Sequence, residues 1–341
     1  MRIATLNAEL SRDGPGILLR DITQGADPQI NALSSVIVSV SPDVLVLQGV
    51  DYDLELLALV ALRDQIAQNG LAYNHVFALR PNNGLSTGFD LDQDGRLGEP
   101  EDAQGYGAFS GQGGMAILSR FPIDESAAQD FSNLLWRDMP NAILPIINTG
   151  PFYSPEVLAR LRLASFAHWV VPIDHPTGRL NLLSFHAAPP VFDGPEDRNG
   201  RRNHDQIMFW IHYLDGDFGM VPNERFVLIG DANQDPVDGE GRKSAIRALI
   251  SDPRLQDLRP MRDAQQSAGV VRDGDPRLDT VAWPEPDPGH LRVSYVLPSR
   301  DWFVAKSGVH WPNEATPEGA IAQTASRHRM VWVDLEMSEG D

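Results

Sequence analysis

The chain has 341 residues, 42% of them hydrophobic, which is enough to bury a large core. Its 28 basic and 47 acidic residues give a net charge of −19, and such a chain repels the phosphate backbone that dominates nucleic-acid affinity. The absence of cysteine excludes disulfides, thiolate zinc sites and thiol catalysis. A general nucleic-acid binder is therefore disfavoured, whereas the many carboxylates suit hard cations such as Ca²⁺ and Mg²⁺.

Short apolar strands alternate with amphipathic stretches along the chain. A strand begins at once near residue 3, and residues 43–48 form the continuous apolar run of a strand buried on both faces. Residues 54–67 then show helical spacing of leucine, valine and isoleucine. The remaining predicted elements are strands at 114–119, 180–185, 225–229, 291–297 and 329–335, and a helix at 204–214. This order predicts an α/β fold with sheet inside and helices outside.

No linker rich in proline and glycine divides the chain, so residues 1–341 are predicted to form a single domain. Residues 90–101 are predicted to be an insertion, and the polar, proline-rich residues 252–289 a long surface excursion. No signal-peptide core precedes the first strand, and no run of about 18 apolar residues occurs. The chain as given is predicted to be soluble and cytoplasmic, or secreted or periplasmic if a signal has been removed.

Polar motifs follow the predicted strands at the edge where α/β folds place their functional sites. In chain order these motifs are Asn7 with Glu9, Gln48 to Asp51, His186, Gly230 to Asn233, Ser294 with Tyr295, and Ser326 to His328.

This ordered set resembles the endonuclease/exonuclease/phosphatase superfamily of metal-dependent phosphoesterases, from Ile3 to Leu335. The family pattern has a strand ending in Asn, then Leu-Gln-Glu, a lone His, Gly-Asp-x-Asn, Asp-Tyr-x-Leu-x-Ser and Ser-Asp-His. The resemblance implies a four-layer α/β/β/α sandwich, in which two mixed sheets pack face to face with helices outside. It also implies cleavage of phosphomonoesters or phosphodiesters with Mg²⁺ or Mn²⁺.

The resemblance further implies roles for four residues near a metal or phosphate. Asn7 resembles the Asn that orients a ligand of the metal or the phosphate, and Glu9 lies where some members have a second carboxylate near the metal. His186 resembles the His that stabilises charge on the phosphoryl oxygens, and His328 resembles the His that contacts the scissile phosphate.

The Gly-Asp-x-Asn motif implies which residues position and activate the attacking water. Asp231 resembles the residue that activates or positions this water, and Asn233 resembles the residue that orients it. These residue types suit phosphoryl transfer, which needs an in-line nucleophile and positive charge around the equatorial oxygens.

Three positions depart from the family pattern. Gly49 replaces the metal-binding Glu, Ser294 replaces the Asp that pairs with the terminal His, and Arg327 replaces the Asp immediately before that His. Asp51 points to the same face as Gly49 if the strand continues, so Asp51 and Glu9 could hold a shifted Mg²⁺ or Mn²⁺. Alternatively, Arg327 supplies the positive charge itself, because a guanidinium matches phosphate bidentately.

Residues 90–101 match the twelve-residue calcium loop, with carboxylates at positions 1, 3, 5 and 12 and glycine at position 6. The flanking residues do not have helical spacing, so this Ca²⁺ site is predicted to be a structural clip and not a sensor. The alternative is a solvated acidic turn. The predicted ligands are Asp90, Asp92, Asp94, the backbone carbonyl of Arg96, and Glu101.

Residues 198–204 contain the densest basic cluster in the chain. Arg198 and Arg202, together with Arg327, are predicted to bind substrate, because arginines and helix N-termini favour anions. The alternative for this cluster is salt bridging with the neighbouring acidic residues.

These features favour a divalent-metal-dependent phosphoesterase with an altered metal site, acting on a small or lipid-like phosphate ester and not on bulk nucleic acid. One alternative is a catalytically impaired family member that binds a phosphorylated ligand or partner. Another is a calcium-stabilised protein whose main site is unused.

Overall fold

Two β-sheets pack face to face in the structure, a computed structural model that describes residues 1–148, 150–222, 225–262 and 272–336. The strands are β1 (Arg2–Leu10), β2 (Val44–Val50), β3 (His75–Phe77), β4 (Gly114–Ser119), β5 (Gln129–Asp130), β6 (Ile146–Ile147), β7 (Gly150–Pro151), β8 (Ala167–His175), β9 (Gly178–His186), β10 (Phe226–Asp231), β11 (Val281–Ala282), β12 (His290–Leu291), β13 (Ser294–Pro298), β14 (Phe303–His310) and β15 (Met330–Glu336). The helices are α1 (Ile17–Gln24), α2 (Pro28–Val40), α3 (Leu57–Gln68), α4 (Pro155–Leu158), α5 (Arg198–Leu214), α6 (Ser244–Ile250) and α7 (Pro317–Ala325).

The six-stranded sheet has the order β14-β15-β1-β2-β4-β3, and the five-stranded sheet has the order β13-β10-β9-β8-β5. Each contains one parallel pair, β1 with β2 and β9 with β10, among antiparallel neighbours. Helices α1, α2, α3 and α7 cover the first sheet, and α5 and α6 cover the second. The predicted four-layer α/β/β/α sandwich is therefore confirmed.

Three clusters of buried apolar side chains fill the spaces between the four layers. In β2, Val44 and Val46 point between the sheets, whereas Leu45 and Leu47 join the cluster beneath the helices. Successive strand side chains point to opposite faces, and both faces of β2 are covered. This burial on two sides is why the sequence of β2 is an unbroken apolar run.

Parallel pairing brings strand ends from both sheets to one edge of the sandwich. In the first sheet, Asn7 of β1 pairs with Gln48 of β2. In the second, His186 of β9 pairs with Asp231 of β10. Strand β1 also contacts β10 across the interface between the sheets. The polar motifs that follow these strands therefore meet at a common place.

An irregularity in β2 shapes this edge, because pairing with β4 shifts register between Gln48 and Val50. Gly49 lies between them with φ +69. A Cβ on Gly49 would lie 2.6 Å from Oδ1 of Asn7 and 3.0 Å from the backbone nitrogen of Glu9. Both the left-handed backbone and the lack of space therefore require glycine at position 49.

Helix α5 begins six residues before the helix predicted over 204–214, at Arg198. The carboxylate of Asp193 accepts a hydrogen bond from the backbone N–H of Asn199 at 2.5 Å, which satisfies a free donor of the first turn. The first two turns are mostly polar, so they lack the apolar spacing by which the sequence reveals a helix.

The predicted insertion at 90–101 is a loop that leads into a short 3₁₀-helix, Pro100–Asp102. Of the predicted surface excursion at 252–289, residues 263–271 lie outside the described residues. The described remainder includes β11, where Val281 bridges to His328. Among the described residues, no helix is both long and apolar enough to cross a membrane.

His168 on β8 places an imidazole in the apolar layer beneath α5. Its Nε2–H donates to the backbone carbonyl of Gln206 at 2.9 Å, and its ring lies 4.7 Å from that of Phe209 between centroids. The ring is fully buried. Burial lowers the pKa of His168 to about 4, so the ring is neutral in the folded protein near pH 7.

Acid is expected to destabilise the fold through His168. Between about pH 6.5 and about 4 the unfolded chain binds a proton that the folded chain does not, so the free energy of unfolding falls by about 1 kcal/mol per pH unit. Above about pH 6.5 this contribution is constant. Urea unfolding at pH 4.5 and 7.0 should show a smaller decrease for His168→Gln than for the wild type. Equal decreases in the free energy of unfolding of the two proteins would show that His168 does not cause the acid sensitivity.

Gly49→Ala is expected to destabilise the protein more than Gly25→Ala. The two glycines have φ +69 and +67, so the backbone strain is matched at about 1 kcal/mol each. A Cβ on Gly25 meets nothing within 4 Å, whereas one on Gly49 meets Asn7 and Glu9. Overpacking should therefore add about 1–3 kcal/mol at position 49. Thermal and urea unfolding measure the difference, and similar losses in both variants would refute the steric argument.

Candidate active site

Asp231 lies at the centre of a group of polar side chains from both sheets. Its carboxylate has no solvent exposure. Oδ2 accepts a hydrogen bond from Nδ2 of Asn7 at 3.0 Å, and Oδ1 accepts one from the backbone N–H of Asn233 at 2.9 Å. Nε2 of His186 and Nδ1 of His328 lie 4.0 and 3.5 Å from Oδ2. The structure thus brings together the five residues predicted to be catalytic.

The turn after β10 sets the position of Asn233. A Cβ on Gly230 would lie 1.9 Å from the backbone oxygen of Phe185, so glycine lets β10 approach β9 closely at this point. Asn233 then takes φ +49 and its Nδ2 donates to the carbonyl of Ala187 at 2.8 Å. The same nitrogen lies 3.4 Å from Nε2 of His186. The amide is therefore held beside the histidine ring.

The two site histidines are buried. His186 stacks on Phe166 with 3.6 Å between ring centroids, and His328 meets Trp283 edge-on at 5.6 Å. Burial lowers the pKa of His186 to about 4, against the opposing charge of Asp231. Burial likewise lowers the pKa of His328. Both rings are therefore neutral near pH 7, and each offers one N–H donor and one bare nitrogen.

Several buried polar atoms of this site have no partner within the described part of the chain. They include Nδ1 of His186, Nδ1 of His328 and the hydroxyl oxygen of Ser294. Buried polar atoms are almost always hydrogen-bonded in folded proteins. Polar atoms without hydrogen-bond partners, on residues that surround one carboxylate, therefore indicate a place where a polar ligand or water binds.

Ser294 lies beside Asp231 in the pairing of β10 with β13. Its backbone N–H donates to the hydroxyl of Thr280 at 3.0 Å. No carboxylate reaches His328 from this position, where the family pattern has an Asp. His328 instead faces Asp231.

The residues that follow α7 contact β1, and so connect the C-terminal part of the chain to the N-terminal strand. The hydroxyl of Ser326 lies 2.7 Å from the carbonyl oxygen of Asn7 and 3.0 Å from Oε2 of Glu9, and it accepts a hydrogen bond from the backbone N–H of His328 at 3.0 Å. Ser326 thus fixes the register between β1 and the start of β15.

Glu9 and Arg327 form an ion pair at the rim of the site. The backbone N–H and the Nε–H of Arg327 donate to the two carboxylate oxygens of Glu9 at 2.7 and 2.8 Å, and Nη2 adds a third contact. Burial alone would raise the pKa of Glu9, but the hydrogen bonds and charge of Arg327 lower it. Glu9 therefore stays ionised, with both oxygens engaged.

The carboxylates predicted to hold a shifted Mg²⁺ or Mn²⁺ do not fit that role. Both oxygens of Glu9 are taken by Arg327 and Ser326. Asp51 accepts hydrogen bonds from the backbone N–H groups of Arg12 and Gly113, each at 2.9 Å. A hard divalent cation needs several oxygen ligands around one point. Among the described residues, the group of three carboxylates or histidines whose ligand atoms lie within 4.8 Å of one another is Asp90, Asp92 and Asp102, and no such group lies around Asp231. The residues present here therefore do not form a site for a divalent cation.

The arginines of the basic cluster on α5 contact neighbouring protein groups. Nε and Nη2 of Arg202 donate to backbone carbonyls, among them those of Leu163 and Gln104, and burial lowers the pKa of Arg202 to about 10. Nη1 of Arg198 pairs with Glu196 at 3.0 Å. The guanidinium of Arg202 thus makes structural contacts, whereas substrate binding by Arg198 stays a prediction.

The acidic loop brings Asp90, Asp92 and Asp102 together, with ligand oxygens within 4.8 Å of one another. Glu101, predicted to close the loop, is exposed, and the neighbouring Asp102 is buried instead. Asp102 accepts hydrogen bonds from the backbone N–H groups of Leu91 and Gly98, both at 2.8 Å. The 3₁₀-helix rotates the chain so that residue 102 points inward.

Asp94 lies in the same loop but outside this group of three, and the backbone carbonyl of Arg96 stays a predicted ligand. Oδ1 of Asp94 accepts a hydrogen bond from the backbone N–H of Arg96 at 2.8 Å, and both side chains are exposed. The side chain of Arg96 reaches Glu99 at 3.3 Å.

Four contributors to these two sites were not predicted. Asp102 stands next to the residue chosen from the loop pattern, and Ser326 precedes Arg327 in a motif already singled out. Phe166 and Trp283 are lone aromatic residues that carry no sequence signal for their contacts with the site histidines.

Comparison with known proteins agrees with this fold. The family model described as "Endonuclease/Exonuclease/phosphatase family" matches residues 4–328. No curated protein matches the chain. Many solved structures do match it.

One such structure is an endonuclease/exonuclease/phosphatase from Beutenbergia cavernae, with TM-score 0.59 and 19% identity over 99% of this chain and 71% of that one. Sphingomyelinase C from Streptomyces griseocarneus has TM-score 0.51 and 14% identity over 98% of each chain. A mutant beta toxin from Staphylococcus aureus with bound magnesium ions has TM-score 0.50 and 11% identity over 97% of this chain and 98% of that one. With the family model spanning almost its whole length, the chain belongs to the endonuclease/exonuclease/phosphatase family.

Proposed function

We propose that the chain hydrolyses a phosphoric ester at the site around Asp231. The observation that carries the proposal is the convergence of Asn7, His186, Asn233 and His328 on this one buried carboxylate. The unpartnered ring nitrogens of both histidines support it, since they leave hydrogen bonds for a ligand to make.

In the proposed reaction a water oxygen attacks phosphorus while the bond from phosphorus to the ester oxygen breaks. Asp231 accepts the proton that the water loses, and Asn233 orients the water. The neutral rings of His186 and His328 donate N–H groups to the phosphoryl oxygens. The leaving ester oxygen, on the far side of phosphorus from the attacking water, takes a proton from solvent, and Asp231 returns its own proton to solvent, so one ester and one water give a phosphate and an alcohol.

The proposed substrate is a small or lipid-like phosphate ester. The net charge of −19 disfavours a long polyanion, and sphingomyelinase C, a protein of the same fold, is named for a lipid substrate. A reaction dependent on Mg²⁺ or Mn²⁺ would require Glu9 to release Arg327. A binding-only protein is the alternative favoured by Gly49, Ser294 and Arg327.

Asp231→Asn is expected to lower kcat/KM by about 100-fold or more on bis(p-nitrophenyl) phosphate or p-nitrophenyl phosphate, because an amide does not accept the proton. Asp205→Asn is the matched control. Asp205 is also buried, but its Oδ2 accepts a hydrogen bond from Nε1 of Trp136 at 2.7 Å beneath α5, away from the site. If Asp205→Asn keeps its activity, the loss in Asp231→Asn comes from the missing proton acceptor and not from lower stability. Full turnover by Asp231→Asn, or none by the wild type with any cation, would exclude the proposed hydrolysis.

We also propose that the acidic loop binds Ca²⁺ as a structural clip through Asp90, Asp92 and Asp102. The loop pattern in the sequence and the meeting of these three carboxylates support this assignment.

Ca²⁺ is expected to raise the melting temperature, because a ligand at 100 times its Kd stabilises the folded state by about 2.7 kcal/mol. The rise should disappear in Asp92→Asn and persist in Glu101→Gln, which changes the exposed neighbour of Asp102. Differential scanning calorimetry with Ca²⁺, with Mg²⁺ and with chelator measures the effect. A wild-type melting temperature insensitive to Ca²⁺ would rule out the clip.

A further inference from the structure

Phosphoryl transfer requires positive charge near the phosphoryl oxygens, and the residues around Asp231 do not supply it. Burial lowers the pKa of both His186 and His328, so both rings are neutral near pH 7. Asn7 and Asn233 are uncharged. Two anionic groups, the phosphate and Asp231, would therefore meet without a cation unless one comes from the rim.

Arg327 is the cation adjacent to this group in the chain and in space. It precedes His328, and its charge acts directly on that ring. The side chain is 60% exposed, so the guanidinium lies at the protein surface and not within the core. Its Nε and Nη2 are held by Glu9, whereas Nη1 has no hydrogen-bond partner among the described residues.

Two nearby arginines are placed differently. Arg329 is buried with its guanidinium 4.7 Å above the ring of Trp311, and its Nη1 donates to three successive backbone carbonyls, although its Nε has no partner among the described residues. Arg12 pairs with Asp21 at 3.1 Å. Arg327 therefore combines a fixed position, exposure and a free donor.

All three positions that depart from the family pattern shift the charge at this rim toward positive. Gly49 and Ser294 bring no carboxylate, and Arg327 brings a cation where the pattern has an Asp. A guanidinium is planar and always charged, and it binds phosphate oxygens through parallel N–H groups.

We propose that the guanidinium of Arg327, positioned by Glu9, binds the phosphoryl group in place of a divalent metal ion, and that hydrolysis here proceeds without such an ion. This inference rests on the proposed phosphoester hydrolysis and names the group that neutralises the developing charge. Glu9 is then a positioning residue and not a metal ligand.

The first experiment measures turnover of bis(p-nitrophenyl) phosphate by the full chain in EDTA, well below the melting temperature measured in EDTA. Activity is expected to stay within about twofold of that in Mg²⁺ or Mn²⁺. Arg327→Met should lower kcat/KM by about 100-fold, as expected for loss of a charged group on a phosphoryl oxygen. Arg327→Lys should recover only part of this loss, because lysine does not reproduce the two N–H groups that Arg327 directs at Oε1 of Glu9.

The second experiment measures binding of inorganic phosphate by calorimetry in EDTA, which needs no turnover. Arg327→Met should weaken binding by about tenfold or more. Arg120→Met is the matched control: Arg120 is also a half-exposed arginine, paired with Asp43 at 2.9 Å. It follows β4 at the opposite end of the sheet, so its loss should leave phosphate binding and turnover unchanged.

Two results would overturn the inference. One is turnover that EDTA abolishes and Mn²⁺ restores, which leaves the proposed hydrolysis standing with a metal ion. The other is unchanged phosphate affinity in Arg327→Met. If the wild type has no turnover under any condition, the proposed hydrolysis fails, while the phosphate titration still decides whether Arg327 binds the anion.

Discussion

The buried carboxylate of Asp231 is the constraint on which the rest of the site depends. A carboxylate without solvent exposure needs hydrogen-bond donors from the protein. One donor, Asn7, comes from the other sheet, and one, the backbone of Asn233, comes from its own turn. The hydrogen bond from Asn7 therefore joins β1 to β10 where the two sheets face each other. The close approach of β10 to β9 at Gly230 also helps to supply a donor to this carboxylate, because it sets the turn that carries Asn233.

At the rim of the site, two departures from the family pattern, Gly49 and Arg327, are linked through Glu9. Gly49 adopts a backbone that no other residue fits easily, and the space a side chain would fill is held by Asn7 and the backbone of Glu9. Glu9 in turn holds Arg327 through both carboxylate oxygens. Reversing one change would not rebuild a metal site, since a Glu at position 49 would collide with Asn7 while Glu9 remained paired.

The sequence predicted the layers and the central residues because strand ends are fixed by topology. His186 and Asp231 end buried strands and Asn7 lies within β1, paired with Gln48 of β2, so their meeting follows from the sheet order. Side-chain direction outside strands was harder to predict. Arg202 lies on the expected helix but turns toward backbone carbonyls, and Asp102 replaces Glu101 because a 3₁₀-helix rotates the chain by one residue. Helix α2, which was not predicted, has seven buried residues, and its narrow exposed stripe of Asn31, Ser35 and Ser39 carries no charge.

A guanidinium and a metal ion are not equivalent in this position. Both stabilise negative charge on phosphoryl oxygens, but a metal ion also lowers the pKa of a bound water, which a guanidinium does not. With Arg327 at the rim, activation of water would depend on Asp231 alone. The neutral rings of His186 and His328 add no positive charge to the surroundings of Asp231. A cation that belongs to the chain also has an occupancy independent of metal supply, and the lowered pKa of Glu9 keeps the ion pair intact toward acid pH.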